Sequence, residues 1–163
     1  MSTVGNDNYR YEEAPNWASL PDGWDLGEVV DIAIDGQDRV YLFSRGDHPM
    51  MVFDQDGSFL HSWGEGQFRR PHGITIDRDG ILYCVDDEGH WIGRFTAEGE
   101  MLSQIGRRDL GAAAQSGDPF NRPTKVAIAP QGGDFYIADG YGNARVHKFS
   151  SEGKLLFSWG DYG

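Results

Sequence analysis

Cysteine, positive charge and long apolar runs are all scarce in this 163-residue chain. Cys84 is the only cysteine, so no intrachain disulfide can form, and its place in an apolar strand pattern predicts a buried, inert thiol. Only 14 Lys and Arg stand against 26 Asp and Glu, a formal net charge of −12. That balance repels phosphate backbones and anionic headgroups, which excludes nucleic acid and membrane surfaces as expected partners. No run approaches the ~18 apolar residues of a membrane-spanning helix. Met1 to Pro15 is polar and acidic, with neither a basic nor an apolar leader segment, so the expectation is a soluble cytoplasmic protein.

What the chain has instead is turns and aromatics. Its 23 glycines sit mostly in Asp-Gly, Glu-Gly and Trp-Gly pairs, and 13% of its residues are aromatic. Short β-type runs separated by such pairs predict an all-β fold. Residues 1–28 hold Tyr9, Tyr11, Trp17, Leu20 and Trp24 without helical or strand periodicity and are expected to form an extended arm packed on the body through its aromatics.

From residue 29 the chain repeats. Units over 29–64, 72–106 and 123–160 each contain four short apolar runs. Phe53, Phe95 and Phe149 are spaced 42 and 54 apart, as are Gly57, Gly99 and Gly153, and Trp63, Ile105 and Trp159. The surplus of the second interval falls mainly in the loop from Arg107 to Phe120. Four strands in a period of ~40–45 residues is the pattern of β-propeller blades, and Phe-x-x-x-Gly-x-x-x-x-x-(Trp/Ile)-Gly resembles NHL-type blades. The predicted fold is therefore three NHL-type blades, half of a six-bladed ring. Because a propeller leaves no open edge, the ring would be completed by a C-terminal half or by a second copy in a homodimer.

Register places Arg45 after the second strand of unit one and Tyr141 at the same point of unit three, with His72 just before the first strand of unit two. In a propeller those positions share the channel face. Arg45-Gly46-Asp47-His48, Arg70-Pro71-His72-Gly73-Ile74, Arg122-Pro123-Thr124-Lys125-Val126 and Asp139-Gly140-Tyr141-Gly142-Asn143-Ala144-Arg145 resemble, in order, the blades of the peptidyl-α-hydroxyglycine α-amidating lyases. The resemblance covers residues 29–160. It implies a zinc ion on three histidines, of which one matches His72, and a structural calcium held partly by backbone carbonyls that match Ile32 and Ile74. It also implies a catalytic arginine at Arg45, a catalytic tyrosine at Tyr141, and cleavage of a carbinolamide in a small or peptide-like substrate to an amide and glyoxylate.

The implied chemistry is coherent. A base must take the carbinol proton as the C–N bond breaks, and a phenol of ordinary pKa ~10 can do so only beside cations, which Arg45 and zinc would supply. Arg45 could also grip a substrate carboxylate. The sequence departs from the family in several places. The other metal histidines are not among these residues. Asn121 and Gly142 stand where secreted members place a disulfide, and the insertion that animal members carry after Arg-Gly-Asp-His is missing. The isolated half is expected to be inactive unless it dimerises. The alternative is a non-catalytic NHL propeller that binds a protein or small ligand on its channel face. Among the remaining candidates, Asp86 and Asp139 are expected to hold loop amides. His61 and His147 are expected on the blade surface, His48 and His90 in loops, and Arg69-Arg70 in solvent.

Overall fold

The computed structural model describes residues 3–162. It contains three four-stranded antiparallel sheets and one two-stranded hairpin, and almost no helix. The hairpin is β1 (Thr3–Asn6) and β2 (Tyr9–Glu12). The first sheet is β3 (Val29–Ile34), β4 (Val40–Ser44), β5 (Met50–Phe53) and β6 (Phe59–Trp63). The second is β7 (Pro71–Ile76), β8 (Leu82–Asp86), β9 (Trp91–Phe95) and β10 (Met101–Gly106). The third is β11 (Lys125–Ile128), β12 (Phe135–Asp139), β13 (Arg145–Phe149) and β14 (Leu155–Trp159), with the single helical turn α1 (Gly140–Asn143) between β12 and β13. Each sheet is a meander with its strands in sequence order, as the repeat predicts.

Asp-led turns close the hairpins. In the first sheet Asp35 accepts the amides of Gln37 and Arg39, and in the second Asp77 accepts those of Asp79 and Ile81. The carboxylate thereby imitates a backbone acceptor and fixes the turn. Two apolar seams join the sheets. Tyr41, Phe43, Trp63, Trp91 and Phe95 pack between the first and second. Tyr83, Ile92, Phe120, Val126, Phe135 and Phe149 pack between the second and third. β8 of the middle sheet is therefore buried on both faces along its whole length, whereas the outer strand β10 stays largely exposed.

The N-terminal segment differs from the expected strandless arm. Residues 3–12 form the hairpin, and its Tyr9 and Tyr11 are 69% and 62% exposed rather than packed on the body. Alternation of short polar and aromatic residues around Asn6-Asp7-Asn8 supplies the turn that a search for apolar periodicity passes over. The packing contact is made later. Trp17, Leu20 and Leu26 cover Leu42, Met51 and Phe53 of the first sheet, and the Trp17 indole N–H donates to the Gln55 carbonyl at 3.1 Å.

Candidate functional site

His72 lies inside β7 rather than before it, and its position there is irregular. Pro71 pairs with Asp86 and Gly73 with Val85, so the register slips by one residue at His72. Such a bulge leaves one residue unpaired and re-aims its side chain. The imidazole turns toward the third sheet. Nδ1 lies 3.1 Å from the Thr124 carbonyl and Nε2 lies 3.3 Å from the Tyr141 hydroxyl. A carbonyl only accepts, so Nδ1 carries the proton and Nε2 presents a lone pair.

Tyr141 stands on α1 with its ring at 67° to that of His72, the centroids 5.5 Å apart. The turn is held from below by Asp139, which is fully buried. Asp139 accepts the Asn121 amide at 2.9 Å and the Asn143 side-chain amide at 2.8 Å, and it lies 3.0 Å from His147 Nε2. The Asn121 carbonyl in turn accepts the Gly142 amide at 3.0 Å. A Cβ on Gly142 would meet the Asn121 side chain at 2.2 Å, so only glycine permits this approach. Asn121 and Gly142 are thus tied by a hydrogen bond at the registers where the resemblance places a disulfide.

Arg45 reaches the group from the first sheet. Its Nε donates to the Pro71 carbonyl at 3.0 Å and its Nη1 pairs with Glu28 at 2.6 Å. It therefore abuts the residue before His72, while among the described residues no hydrogen bond joins it to Tyr141. Another arginine stands over the phenol ring, and a second shares its carboxylate partner. Arg122 lies 5.1 Å from the Tyr141 ring centroid, and both Arg122 and Arg70 pair with the fully buried Asp87. Arg70 grips Asp87 through two nitrogens, at 2.8 and 2.5 Å, and that hydrogen-bonded carboxylate raises the guanidinium above its already high ordinary value. Arg70 is thus a clamp on Asp87 rather than a solvated charge. Asp87 escapes a register search because its neighbour Asp86 occupies the repeated position. As expected, Asp86 holds loop amides, accepting those of Arg69, Arg70 and Gly89 and the Trp91 indole N–H.

The other histidines are placed as follows. His147, expected at the blade surface, is fully buried and bridges Asp139 and the Ser158 hydroxyl, the latter at 2.7 Å. His61 is half-buried and meets the Ala97 carbonyl at 3.1 Å across the first seam. His48 stacks on Trp24 at 3.2 Å between ring centroids, and its Nδ1 lies 3.2 Å from Glu65. His90 accepts the Arg122 amide at 3.1 Å and so supports the backbone under that arginine.

The residues present can be tested against the two implied metals. His72 suits zinc, because its Nδ1–H is held by a carbonyl, the usual arrangement of a metal-bound imidazole, and its Nε2 keeps a lone pair, which here meets the Tyr141 hydroxyl. The rest of a zinc set is not here: among the described residues no group of three or more His, Cys, Asp or Glu could hold an ion. Ile32 and Ile74 sit on the inner strands β3 and β7, where Asp31 accepts their amides at 3.0 and 2.9 Å. The Ile74 carbonyl, however, already accepts the Lys125 ammonium at 2.7 Å, and that ammonium also pairs with Asp31. The oxygens are of the kind calcium takes, but with the ammonium on both of them the site as it stands does not suit that ion.

Comparison with known proteins agrees with this architecture. The NHL repeat family profile matches residues 120–149. Peptidyl-glycine alpha-amidating monooxygenase B of Xenopus laevis is 32% identical over 97% of this chain and 21% of its own length. Peptidyl-alpha-hydroxyglycine alpha-amidating lyase 1 of Drosophila melanogaster is 38% identical over 64% of this chain and 19% of its own length. The chain thus spans about a fifth of these curated relatives. Among solved structures, virginiamycin B lyase from Staphylococcus aureus superposes with a TM-score of 0.63 at 16% identity, over 85% of this chain and 43% of that one, a likeness of fold. The chain is a set of NHL-type propeller blades that resembles the peptidyl-α-hydroxyglycine α-amidating lyases.

Proposed function

We propose that these blades form one side of a metal-dependent lyase that cleaves a carbinolamide of the α-hydroxyglycine type to an amide and glyoxylate. The observation that carries the reading is the cross-blade pair of His72 Nε2 and Tyr141 Oη at 3.3 Å, with His72 fixed in one tautomer by Thr124; a metal at Nε2 would take the lone pair that now accepts the Tyr141 hydroxyl and leave the phenol oxygen beside the cation. The likeness to named amidating lyases supports it. His72 would hold zinc, which when bound supplies Lewis acidity to the reacting oxygen. Tyr141 Oη takes the carbinol proton as the N–C bond breaks, and a proton returns to the departing nitrogen, so the two products balance without net proton release. Arg45 is only 26% exposed and already directed by Pro71 and Glu28, and it holds the carboxylate that becomes part of glyoxylate. The facing wall of the site and the remaining metal ligands come from further blades, in the same polypeptide or in a second copy.

Glyoxylate release from a peptidyl-α-hydroxyglycine by the zinc-loaded protein tests the reaction, with mass in solution measured alongside. Tyr141→Phe is expected to lose about 10²- to 10⁴-fold in rate, the usual contribution of a proton-transfer group, and His72→Ala to lose bound zinc. A zinc-loaded dimer that releases no glyoxylate, or a Tyr141→Phe variant with unchanged rate, refutes the lyase reading. A strictly monomeric mass in an active preparation refutes closure by a second copy.

A further inference from the structure

We propose that the Lys125 ammonium is a built-in cation that ties the inner strands of all three blades, so that this part of the channel wall needs no divalent ion. One point collects a group from each sheet: the Asp31 carboxylate from β3, the Ile74 carbonyl from β7 and the Lys125 ammonium from β11. Asp31 is spread over three donors, the amides of Ile32 and Ile74 and the ammonium itself. A carboxylate oxygen beside a peptide carbonyl is the hard donor set that calcium prefers. Here a positive charge already stands within hydrogen-bonding distance of both, so a divalent ion at the same oxygens would meet like charge at contact distance.

The backbone fixes the lysine in that place. A Cβ on Gly73 would lie 2.4 Å from the Thr124 carbonyl and 3.3 Å from Lys125 Cδ, so β7 and β11 approach as closely as a glycine allows and the lysine stem lies against that contact. The ammonium cannot diffuse away, and its attraction is spent inside the fold of a chain with a net charge of −12. The inference is independent of the reaction proposed above, since it concerns the joint between strands.

Thermal unfolding of the protein in excess EGTA and in millimolar calcium chloride tests it. The unchanged protein is expected to melt at the same temperature in both. Lys125→Met removes the charge but keeps the stem and is expected to melt about 2–4 °C lower, the effect of losing a half-exposed ion pair in a chain of this size. Lys125→Asp is expected to be destabilised in EGTA and restored by calcium, because it replaces the tethered cation by a second carboxylate. A melting temperature of the unchanged protein that falls in EGTA, a Lys125→Met variant as stable as the parent, or a Lys125→Asp variant indifferent to calcium would each overturn the proposal.

Discussion

Removal of the Asp139 carboxylate should be among the costliest single changes in the chain. Asp139 has no exposed surface, and the Asn121 amide, the Asn143 side chain and His147 Nε2 converge on it at 2.8–3.0 Å. A hydrogen bond to a charged group contributes ~1.5–3 kcal/mol, but bonds that share one acceptor do not add. Asn143 Nδ2 keeps a second acceptor in the Asp118 carbonyl at 3.0 Å, whereas among the described residues the Asn121 amide meets Asp139 alone. Breaking a buried charged network costs about 3–5 kcal/mol, and ~4 kcal/mol suits Asp139→Ala. At ~2–4 °C per kcal/mol for a chain of this size, the melting temperature should drop by about 8–16 °C. Circular dichroism measures the drop. Hydrogen exchange locates it, with faster exchange expected over residues 139–147 and little change in β4 and β5, which share no contact with the carboxylate. Asp86→Ala at the matching register should cost about as much, since Asp86 is 1% exposed and serves four donors. A loss below about 3 °C for Asp139→Ala, or exchange that quickens uniformly, would refute the reasoning.

Alkaline stability should depend on Tyr41. Burial, and then its hydrogen bond to Asp35 at 3.0 Å, push the phenol from 10.0 up to about 12. The fold favours the protonated phenol, so this contribution is intact below the unfolded value and is lost as pH climbs from 10 towards 12. The span corresponds to at most about 3 kcal/mol, less whatever solvent screening removes. Melting temperatures of Tyr41→Phe should therefore be flatter than those of the parent across that window, and parallel curves would rule the tyrosine out as the cause. Burial also pushes the Cys84 thiol well up, so a disulfide-exchange reagent should label it only after unfolding. Labelling of the native protein at the rate of a free thiol would contradict that.

The blades were legible because each strand's alternation and each Asp-Gly turn are local signals, and the repeat aligned them. The residues at the rim, Arg45, His72 and Tyr141, were legible as positions for the same reason. What register could not supply was anything decided between sheets. Alternation assigns an inner and an outer face only when one face meets water, and a middle strand buried on both sides gives no such contrast. His147 is polar and within a strand and so reads as surface, although it shares the buried side of β13 with Phe149 and is enclosed by Phe120, Asp139 and Ser158. Arg70 likewise reads as a solvated cation until the second sheet's loop brings Asp87 against it. The slip at His72 is a property of pairing with β8 and leaves no mark in the sequence of β7 alone.

The two ends of the three-blade fan differ from its interior in a way that bears on the site. Trp63 is 6% exposed, with its indole N–H on the Ala97 carbonyl at 3.2 Å and its ring against Gly99, where a Cβ would lie at 2.6 Å. Trp159 holds the same register in the third blade and is 44% exposed. At the opposite end Ile32 and Ile34 are 55% and 61% exposed, although the outer part of that flank is covered by Trp17, Leu20 and Leu26. Apolar residues of seam type without a seam are the sign of a surface that another blade would cover. His72, Thr124 and Tyr141 lie instead at the junction of the second and third blades, where Tyr83, Ile92, Phe120 and Phe135 already close the apolar seam. Their geometry is therefore fixed by packing within these residues. Under the proposed function, further blades would add ligands and a facing wall to a pair that is already set, rather than create the pair.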